Sequence, residues 1–473
     1  MGGKKNEKNT QNRHKTEVKE KTATITDSKL NDSMEKLITL GKGKGFLTFE
    51  EVNNMLPAEI VSDSLASYLR TRAARIRSGD SGALPVLLGL VVIAVAFQIW
   101  TQGLFLSPGN LVNLFIESMV FMTLGMAEIF VLLLGEIDLA AGYVLAVGAG
   151  IAAILVQKPG FDWPWWLAII VALVCCGLTG AVWGTLVSRL HLPSFVVTLA
   201  GLLIMWGVML VILGNAGAVS IASPILVNQH VLYEIVNGNI PPLAGWVVLA
   251  LVVVLFGGVL WARDAGRRRR GLVAPPPGLT AIKIALFALS GIVVVLICDA
   301  NRGSATSVVD GVPWVVPIVF IVLLLWVMLL QRTQFGRYVY AIGGNSDAAR
   351  RAGISLAKVR TWAFVLCSVT AGFAGILYLS WQGGTSTNVN GGQYVLYGVA
   401  AAVIGGTSLF GGRGKIAQAV IGGLVIGAIY NGLYLQGVQV QWQLIATGSV
   451  LVAAVLIDTV SRRGTLSGSS TRI

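Results

Sequence analysis

Residues 194–213 read Ser194-Phe-Val-Val-Thr-Leu-Ala-Gly-Leu-Leu-Ile-Met-Trp-Gly-Val-Met-Leu-Val-Ile-Leu213. These twenty residues carry no charge. A helix of this length rises about 30 Å, which is the thickness of the hydrocarbon core of a bilayer. The stretch therefore predicts a transmembrane helix.

Similar apolar runs occur on both sides of this stretch, from residue 84 almost to the end of the chain. Together they predict an all-α polytopic membrane protein. Two neighbouring pairs, the second with the third run and the tenth with the eleventh, are so close that either could contain a broken or re-entrant helix. We therefore expect ten to twelve transmembrane helices among the following runs: 84–100, 113–134, 139–156, 164–187, 194–213, 244–262, 279–298, 313–330, 360–381, 393–410, 415–434 and 442–459.

The composition of the 473-residue chain supports this class. Hydrophobic residues make up 55% and charged residues 12%, whereas soluble domains carry about 25% charged residues. So few charges cannot cover the surface of a soluble fold, which excludes a soluble enzyme. The net charge is +13. In a membrane protein such an excess of basic residues usually lies in cytoplasmic loops and near anionic lipids. No nucleic-acid partner is expected.

The basic residues also predict the orientation. With a cytoplasmic N-terminus and twelve spans, the internal loops contain nearly all the loop arginines, including the run 267–270, whereas the external loops contain Lys158 and Arg302. Lysine and arginine concentrate in cytoplasmic loops. Both termini are therefore predicted to be cytoplasmic. The protein itself is predicted to lie in the cell membrane of a prokaryote.

The first 83 residues differ in composition from the rest. Residues 1–33 are polar and predicted to be disordered. Residues 34–63 contain an apolar cluster and a Thr48–Glu51 capping box, which predict a small helical cytoplasmic module. Residues 34–62 also resemble the N-terminal regulatory region of housekeeping bacterial sigma factors. Residues 64–83 form a basic amphipathic lead-in to the membrane, residues 84–463 the transmembrane domain, and residues 464–473 a C-terminal tail.

Two glycine patterns predict close contacts between helices. Gly180-x-x-x-Gly184 and Gly423-x-x-x-Gly427 favour helix packing within one subunit. The glycine-bounded turns 135–142 and 405–412 each separate two apolar runs and share a leucine at the same place. They form a candidate internal repeat of the kind that marks broken helices in transporters.

The cytoplasmic stretch 331–359 contains a candidate partner-binding helix. Ser346 is predicted to cap it, Asp347 complements its dipole, and Gly353 is suited to a left-handed stop. Three alanines, at positions 348, 349 and 352, would form a small-residue face for a groove on a soluble partner.

Several motifs occur in the order found in one known family. They are Glu136-Ile-Asp-Leu139, Leu192-Pro-Ser-Phe-Val-Val-Thr-Leu-Ala-Gly201, Phe335-Gly-Arg, Ala341-Ile-Gly-Gly-Asn345 and Val403-Ile-Gly-Gly-Thr-Ser-Leu409. In these motifs the chain resembles the permease subunits of ribose/xylose/galactose-type ABC sugar importers, and most of all their xylose branch. Ala140 departs from the pattern, where the family has serine.

This resemblance implies an ATPase-coupling helix at Gly344, Asn345, Ser346, Asp347, Ala348, Ala349, Arg350 and Gly353. It also implies partners: an ABC ATPase subunit, an extracytoplasmic sugar-binding protein and a second permease copy. The sequence has no G-x-x-x-x-G-K-[ST] phosphate-binding loop. ATP and Mg²⁺ would therefore bind a separate ATPase subunit, and no catalytic residue, metal site or cofactor is expected on this chain.

Polar residues among the apolar runs are the candidates for a substrate path, because such groups are costly in a membrane. Glu117 and Glu128 lie within the second run. A sugar path would combine hydrogen-bonding groups with aromatic faces, although solvated loops or helix caps explain the same residues. The candidates are Glu136, Asp138, Trp381, Asn388, Gln393 and Tyr394.

Two other functions remain open from the sequence. An ion-driven secondary transporter would use an acid such as Glu128 as its ion site and need no ATPase. A membrane-tethered regulator would act through residues 34–62.

The role of residues 1–63, the N-terminal extension, can be tested by deletion. Because its few apolar residues precede the first span, a chain beginning near residue 64 should insert and transport at close to the full-length rate, measured as sugar uptake with its ATPase and binding protein. Normal insertion with no uptake would make the extension part of the transport machinery.

Overall fold

The computed structural model describes residues 84–158, 160–214, 217–270, 274–303 and 308–467. The polar tail 1–33, the module 34–63, the lead-in 64–83 and the last six residues lie outside the described residues. The predictions made for those segments remain predictions.

Each of the twelve predicted runs corresponds to a helix. In chain order these are α1 (Leu84–Trp100), α2 (Pro108–Leu132), α3 (Ala141–Leu155), α4 (Trp165–Arg189), α5 (Ser194–Leu213), α7 (Pro242–Arg269), α8 (Pro277–Asp299), α9 (Val315–Arg332), α12 (Leu356–Gln382), α13 (Gly391–Ile404), α14 (Ile416–Leu435) and α15 (Val440–Ser467). Eight of them are long and apolar enough to cross a membrane. The all-α polytopic class is confirmed.

Among the described residues, three further helices and four short strands were not predicted as separate spans. The helices are α6 (Val227–Asn237), α10 (Gln334–Gly344) and α11 (Ser346–Arg351). Strands β1 (Ala218–Ser220) and β4 (Gly384–Ser386) pair antiparallel with Val219 opposite Thr385. Strands β2 (Asn239–Ile240) and β3 (Val312–Pro313) form a second antiparallel pair. These ladders tie together loops that are far apart in sequence.

Helices α3 and α13 are too short to cross the bilayer. They contain 15 and 14 residues, so each rises about 22 Å against the roughly 30 Å of a hydrocarbon core. Most of their residues are buried. Each is one member of a closely spaced pair, α2 with α3 and α13 with α14, for which the sequence allows a broken or re-entrant helix.

Helix α2 lies at the centre of the core. Its residues from Ser118 to Leu132 are all buried, and it packs against α12, α13 and α14. Helix α12 also packs along α3 and α4. Because lipid is as apolar as these side chains, close packing holds such helices together rather than removal of apolar surface from water.

The contacts of the glycines in the two patterns confirm the predicted helix packing. Gly180 and Gly184 of α4 face Phe364 and Thr361 of α12, and Gly423 and Gly427 of α14 face Met122 and Ser118 of α2. A side chain on any of these glycines would overlap the facing helix. These glycines therefore bring helices of the same subunit together.

The chain divides into two compact units, residues 255–286 and residues 79–254 with 287–473, apart from the undescribed N-terminal residues. Within residues 255–286, the buried Asp264 accepts a hydrogen bond from Thr280 and pairs with Arg263 at 3.1 Å. The sites below all lie in the larger unit.

The glycine contacts predict a difference between two matched variants. A side chain at Gly180 would clash with the backbone of α12, whereas the space around Gly207 of α5 is open. Gly180→Leu should lower the thermal stability of the detergent-solubilised protein by several degrees, since overpacking costs about 1–3 kcal/mol. Gly207→Leu should match the wild type. Equal melting curves for the two variants would contradict the packing role of Gly180.

Candidate functional site

The candidate coupling segment forms a short helix between two membrane helices, as predicted, but its cap differs. Asn345 is the cap of α11, and its side chain accepts a hydrogen bond from the Ala348 amide at 2.9 Å. The prediction of Ser346 as the cap was wrong by one residue, because asparagine caps as well as serine. Gly353 ends the segment with φ of +81°, which confirms the predicted left-handed stop.

The predicted alanine face is divided between core and surface. Ala349 is 4% exposed and packs into the hydrophobic core. Ala348 and Ala352 are exposed, together with Asp347 and Arg350. The expectation that Ala349 belongs to a partner-facing surface was therefore wrong. The buried alanine holds α11 against the bundle, and the exposed residues remain available to a partner.

Helix α10, which precedes α11, contacts the interior of the bundle through Gly343. A side chain there would overlap the carbonyl oxygen of Leu133 and the amide of Gly412. The Gly412 amide in turn donates a hydrogen bond to Leu133 O at 2.9 Å. Gly135 also lies against Phe410 and Gly411, so the two glycine turns of the candidate repeat, 135–142 and 405–412, lie against each other and against the end of α10.

The two short helices begin next to each other. Gly142, in the first turn of α3, lies against the carbonyl of Gly391, which begins α13, and the ring of Tyr143 covers Gly391. Asp138 accepts a hydrogen bond from the Ala140 amide at 3.0 Å, just before α3. Asn390 accepts one from the Gln393 amide at 3.1 Å, in the first turn of α13. Asn390 therefore caps α13, whereas the Asp138 bond stabilises the turn that leads into α3.

Two of the six candidate path residues, Glu136 and Asp138, lie along the first half of α12. Glu136 pairs with Arg360 at 3.5 Å, with both side chains mostly buried. Asp138 is fully buried, next to Glu128 and Cys367. Glu128 is also fully buried, and its oxygens have no hydrogen-bond partner among the described residues. The Asp138 bond lies in the turn before α3, whose first residues have no side-chain cap, so the prediction of Asp138 as a helix cap was wrong.

The other candidates lie near the far end of α12. Trp381 packs edge-to-face on Tyr378, and Tyr378 on Tyr394. Gln393 donates a hydrogen bond to the hydroxyl of Tyr397, whereas Asn388 lies exposed in the loop before α13. Twenty-one residues separate Arg360 from Trp381, or about 32 Å of helix, so the six candidates form two separate groups.

Other members of the aromatic group were not among the candidates. Phe121 of α2 contacts Tyr394, Tyr397 and Tyr430 with ring centroids 5.1–6.2 Å apart. Beside them, Asn431 donates a hydrogen bond to Glu117 at 3.0 Å. The dipeptide Tyr430-Asn431 within an apolar run was the available signal, since an asparagine in a membrane helix is costly.

The aromatic group, defined as Phe121, Tyr378, Trp381, Tyr394, Tyr397 and Tyr430, offers ring faces and hydroxyl groups with no basic side chain among them. Such a surface can stack on an apolar face and hydrogen-bond to neutral polar groups. It is suited to a neutral polyhydroxylated ligand more than to a strongly charged one.

A family model described as "Branched-chain amino acid transport system / permease component" matches residues 110–455. The match covers well over half of the chain. The chain belongs to this permease family. It is accordingly a permease component and a multi-pass membrane protein, in agreement with its apolar helices.

Individual relatives of the permease are sugar transport components. It is 33% identical over 392 residues to the xylose transport system permease protein of Haemophilus influenzae, covering 82% of this chain and 99% of the relative. The xylose permease protein of Escherichia coli K12 is 33% identical, covering 80% and 92%. The D-allose permease protein of the same strain is 30% identical, covering 78% and 89%. No solved structure matched the chain.

A second family model, sigma-70 factor region 1.1, matches residues 29–65. This match agrees with the resemblance seen for residues 34–62, all of which lie outside the described residues. It covers a small part of the chain and leaves the permease membership unchanged.

Proposed function

We propose that this permease is the membrane subunit of an ATP-driven importer of a monosaccharide, D-xylose or a related sugar. The observation that carries the proposal is the 33% identity to two xylose permease proteins along 92–99% of their length. The D-allose relative is also a sugar permease. The neutral aromatic group near the end of α12 is suited to the same class of substrate.

Energy would come from a separate ABC ATPase subunit that binds ATP and Mg²⁺. The segment 344–353 is its docking site: Asp347, Ala348 and Arg350 are exposed there. Gly343 connects this segment to Leu133 and Gly412 at the bases of the two interrupted regions. A displacement of α11 would therefore be transmitted through backbone contacts, which are less compliant than flexible side chains.

Sugar would cross by alternating access between a pair of these permeases. An extracytoplasmic binding protein would deliver it on the side of Trp381 and β4, and it would leave on the side of Arg360 and α11. The interrupted helices α3 and α13 meet between these ends. Broken helices at the centre of a bundle are where transporters place their substrate sites and moving elements.

The proposed orientation places both termini and the 344–353 segment in the cytoplasm. It is supported by the arginines that surround this segment, at positions 332, 337, 350, 351 and 360. The loop 217–241, which contains α6, would be on the opposite side of the membrane.

Docking predicts a selective effect of a charge on the exposed surface of α11. Ala348→Glu should reduce the amount of ATPase that copurifies with the permease by roughly tenfold or more, because an unmatched charge in an interface is costly. Sugar uptake should fall with it. The matched control is Ala222→Glu, also at an exposed alanine but in the loop on the opposite side, which should retain the ATPase. Full ATPase retention by Ala348→Glu would contradict the docking assignment.

Orientation can be checked by cysteine labelling in intact cells. Ile225 is 85% exposed, so Ile225→Cys should react with a membrane-impermeant maleimide from outside. Lys358→Cys, also at an exposed position, should react after permeabilisation. The wild-type chain controls for labelling of its four native cysteines. External labelling of Lys358→Cys in intact cells would reverse the proposed topology.

A further inference from the structure

Glu117 lies within a membrane-spanning helix and is partly open. It is the tenth residue of α2, about 14 Å along the helix axis from Pro108. Its side chain is half-buried. Carboxylates at such depth face the interior of a bundle or a water-filled cavity, because contact with lipid is too costly. The open side of Glu117 therefore belongs to an aqueous path.

A chain of amides fixes the carboxylate in place. Asn110 donates a hydrogen bond to the Asn431 oxygen at 2.8 Å, and Asn431 donates one to Glu117 Oε2 at 3.0 Å. Both asparagines are buried. Because Asn110 occupies the Asn431 oxygen, the Asn431 amino group must point toward Glu117. Among the described residues, no hydrogen bond reaches the other carboxylate oxygen, Oε1, so this acceptor is available to a ligand.

The aromatic group stands beside this carboxylate. Phe121 lies one helical turn after Glu117 on α2, and its ring contacts those of Tyr394 and Tyr430. In the described part of the chain, the hydroxyls of Tyr378, Tyr394 and Tyr430 have no hydrogen-bond partner, and all three side chains are half-buried. Polar groups without partners at this depth cost free energy unless water or a ligand binds them.

We propose that Glu117, with Asn431 behind it and Tyr430 and Tyr394 beside it, forms the binding station for a neutral monosaccharide inside the permease. The inference rests on the proposed transport function and adds the residues that contact the sugar. Glu117 Oε1 accepts a hydrogen bond from a sugar hydroxyl, and the tyrosines supply a stacking face and donors. Asn110 and Asn431 are positioning residues that act through Glu117.

This arrangement is matched to a sugar more than to an amino acid. A zwitterion would require a cationic partner for its carboxylate, and none of the residues that form the station is basic. A monosaccharide has apolar C–H patches for an aromatic face and hydroxyls for the carboxylate and phenols. Carboxylate acceptors distinguish hydroxyl positions strongly, because a missing hydroxyl leaves the acceptor unpaired.

The test uses the full-length permease, assembled with its ATPase and binding protein in proteoliposomes, and measures D-xylose uptake and ATP hydrolysis together. Glu117→Gln keeps the shape of the side chain and removes its charge, and Tyr430→Phe removes one hydroxyl. Both variants should lower the amount of D-xylose transported per ATP hydrolysed. For Glu117→Gln the decrease should be about tenfold, because one hydrogen bond to a charged group is lost. Stimulation of ATP hydrolysis by the binding protein should persist. The matched control, Tyr233→Phe on α6, should leave the ratio unchanged.

A second readout separates sugar contact from a structural role. Wild-type uptake of D-xylose should be compared with that of analogues lacking one hydroxyl. The analogue that lacks the hydroxyl bound by Glu117 should be transported equally poorly by the wild type and by Glu117→Gln. The carboxylate and this hydroxyl form one interaction, so removing either partner removes it. Unchanged sugar-to-ATP ratios in both variants would overturn the binding station, as would an equal loss of uptake and ATP hydrolysis. An inactive wild-type complex on D-xylose would instead contradict the proposed substrate, before any variant is compared. If Glu117→Gln fails to insert, Tyr430→Phe decides between these outcomes.

Discussion

The requirement that every backbone amide inside a bilayer has a partner constrains this fold more than any other interaction. The chain interrupts two helical paths at the short helices α3 and α13, whose first turns lie inside the bundle and need partners for their backbone groups. Asn390 caps α13 with its side chain, and the Asp138 side chain accepts a hydrogen bond in the turn before α3. The interruptions lie against each other at Gly142 and Gly391, where protein rather than lipid surrounds them. The bundle tolerates these interruptions because the protein encloses them.

Glycine contacts extend this constraint to the segment 344–353. The end of α10 approaches the turns after α2 and α13 through Gly343 and Gly412 without an intervening side chain. Ala349 then fixes the short α11 to the same core. Backbone-to-backbone contacts of this kind have few alternative packings. A partner that binds the exposed side of α11 is thereby coupled to both interrupted regions at once.

The helices could be predicted from the sequence because apolar length is a strong and local signal. Each of the twelve runs became a helix, and the glycine spacing at 180 and 184 identified a real helix contact. The site was less predictable, since its members come from α2, α12, α13 and α14. Trp381 and Tyr394 were recognised because polar residues surround them in sequence. Tyr430 was missed because Asn431 is the single polar signal beside it in an apolar run, and only packing brings it beside Phe121. The cap was wrong by one residue because Asn345 and Ser346 are both good caps.

The two acidic groups of α2 differ in a way that spacing alone does not reveal. Glu117 and Glu128 lie eleven residues apart, about three turns, on one helix. Glu128 is sealed next to Asp138 near the break before α3, whereas Glu117 is half-buried with one free oxygen. A sealed carboxyl can affect the packing of the interrupted helices, and an open one can also contact a solute. In the proposed transport cycle, the open acid Glu117 binds the substrate, and the sealed acid Glu128 lies beside the turn before α3. A single helix therefore connects the two.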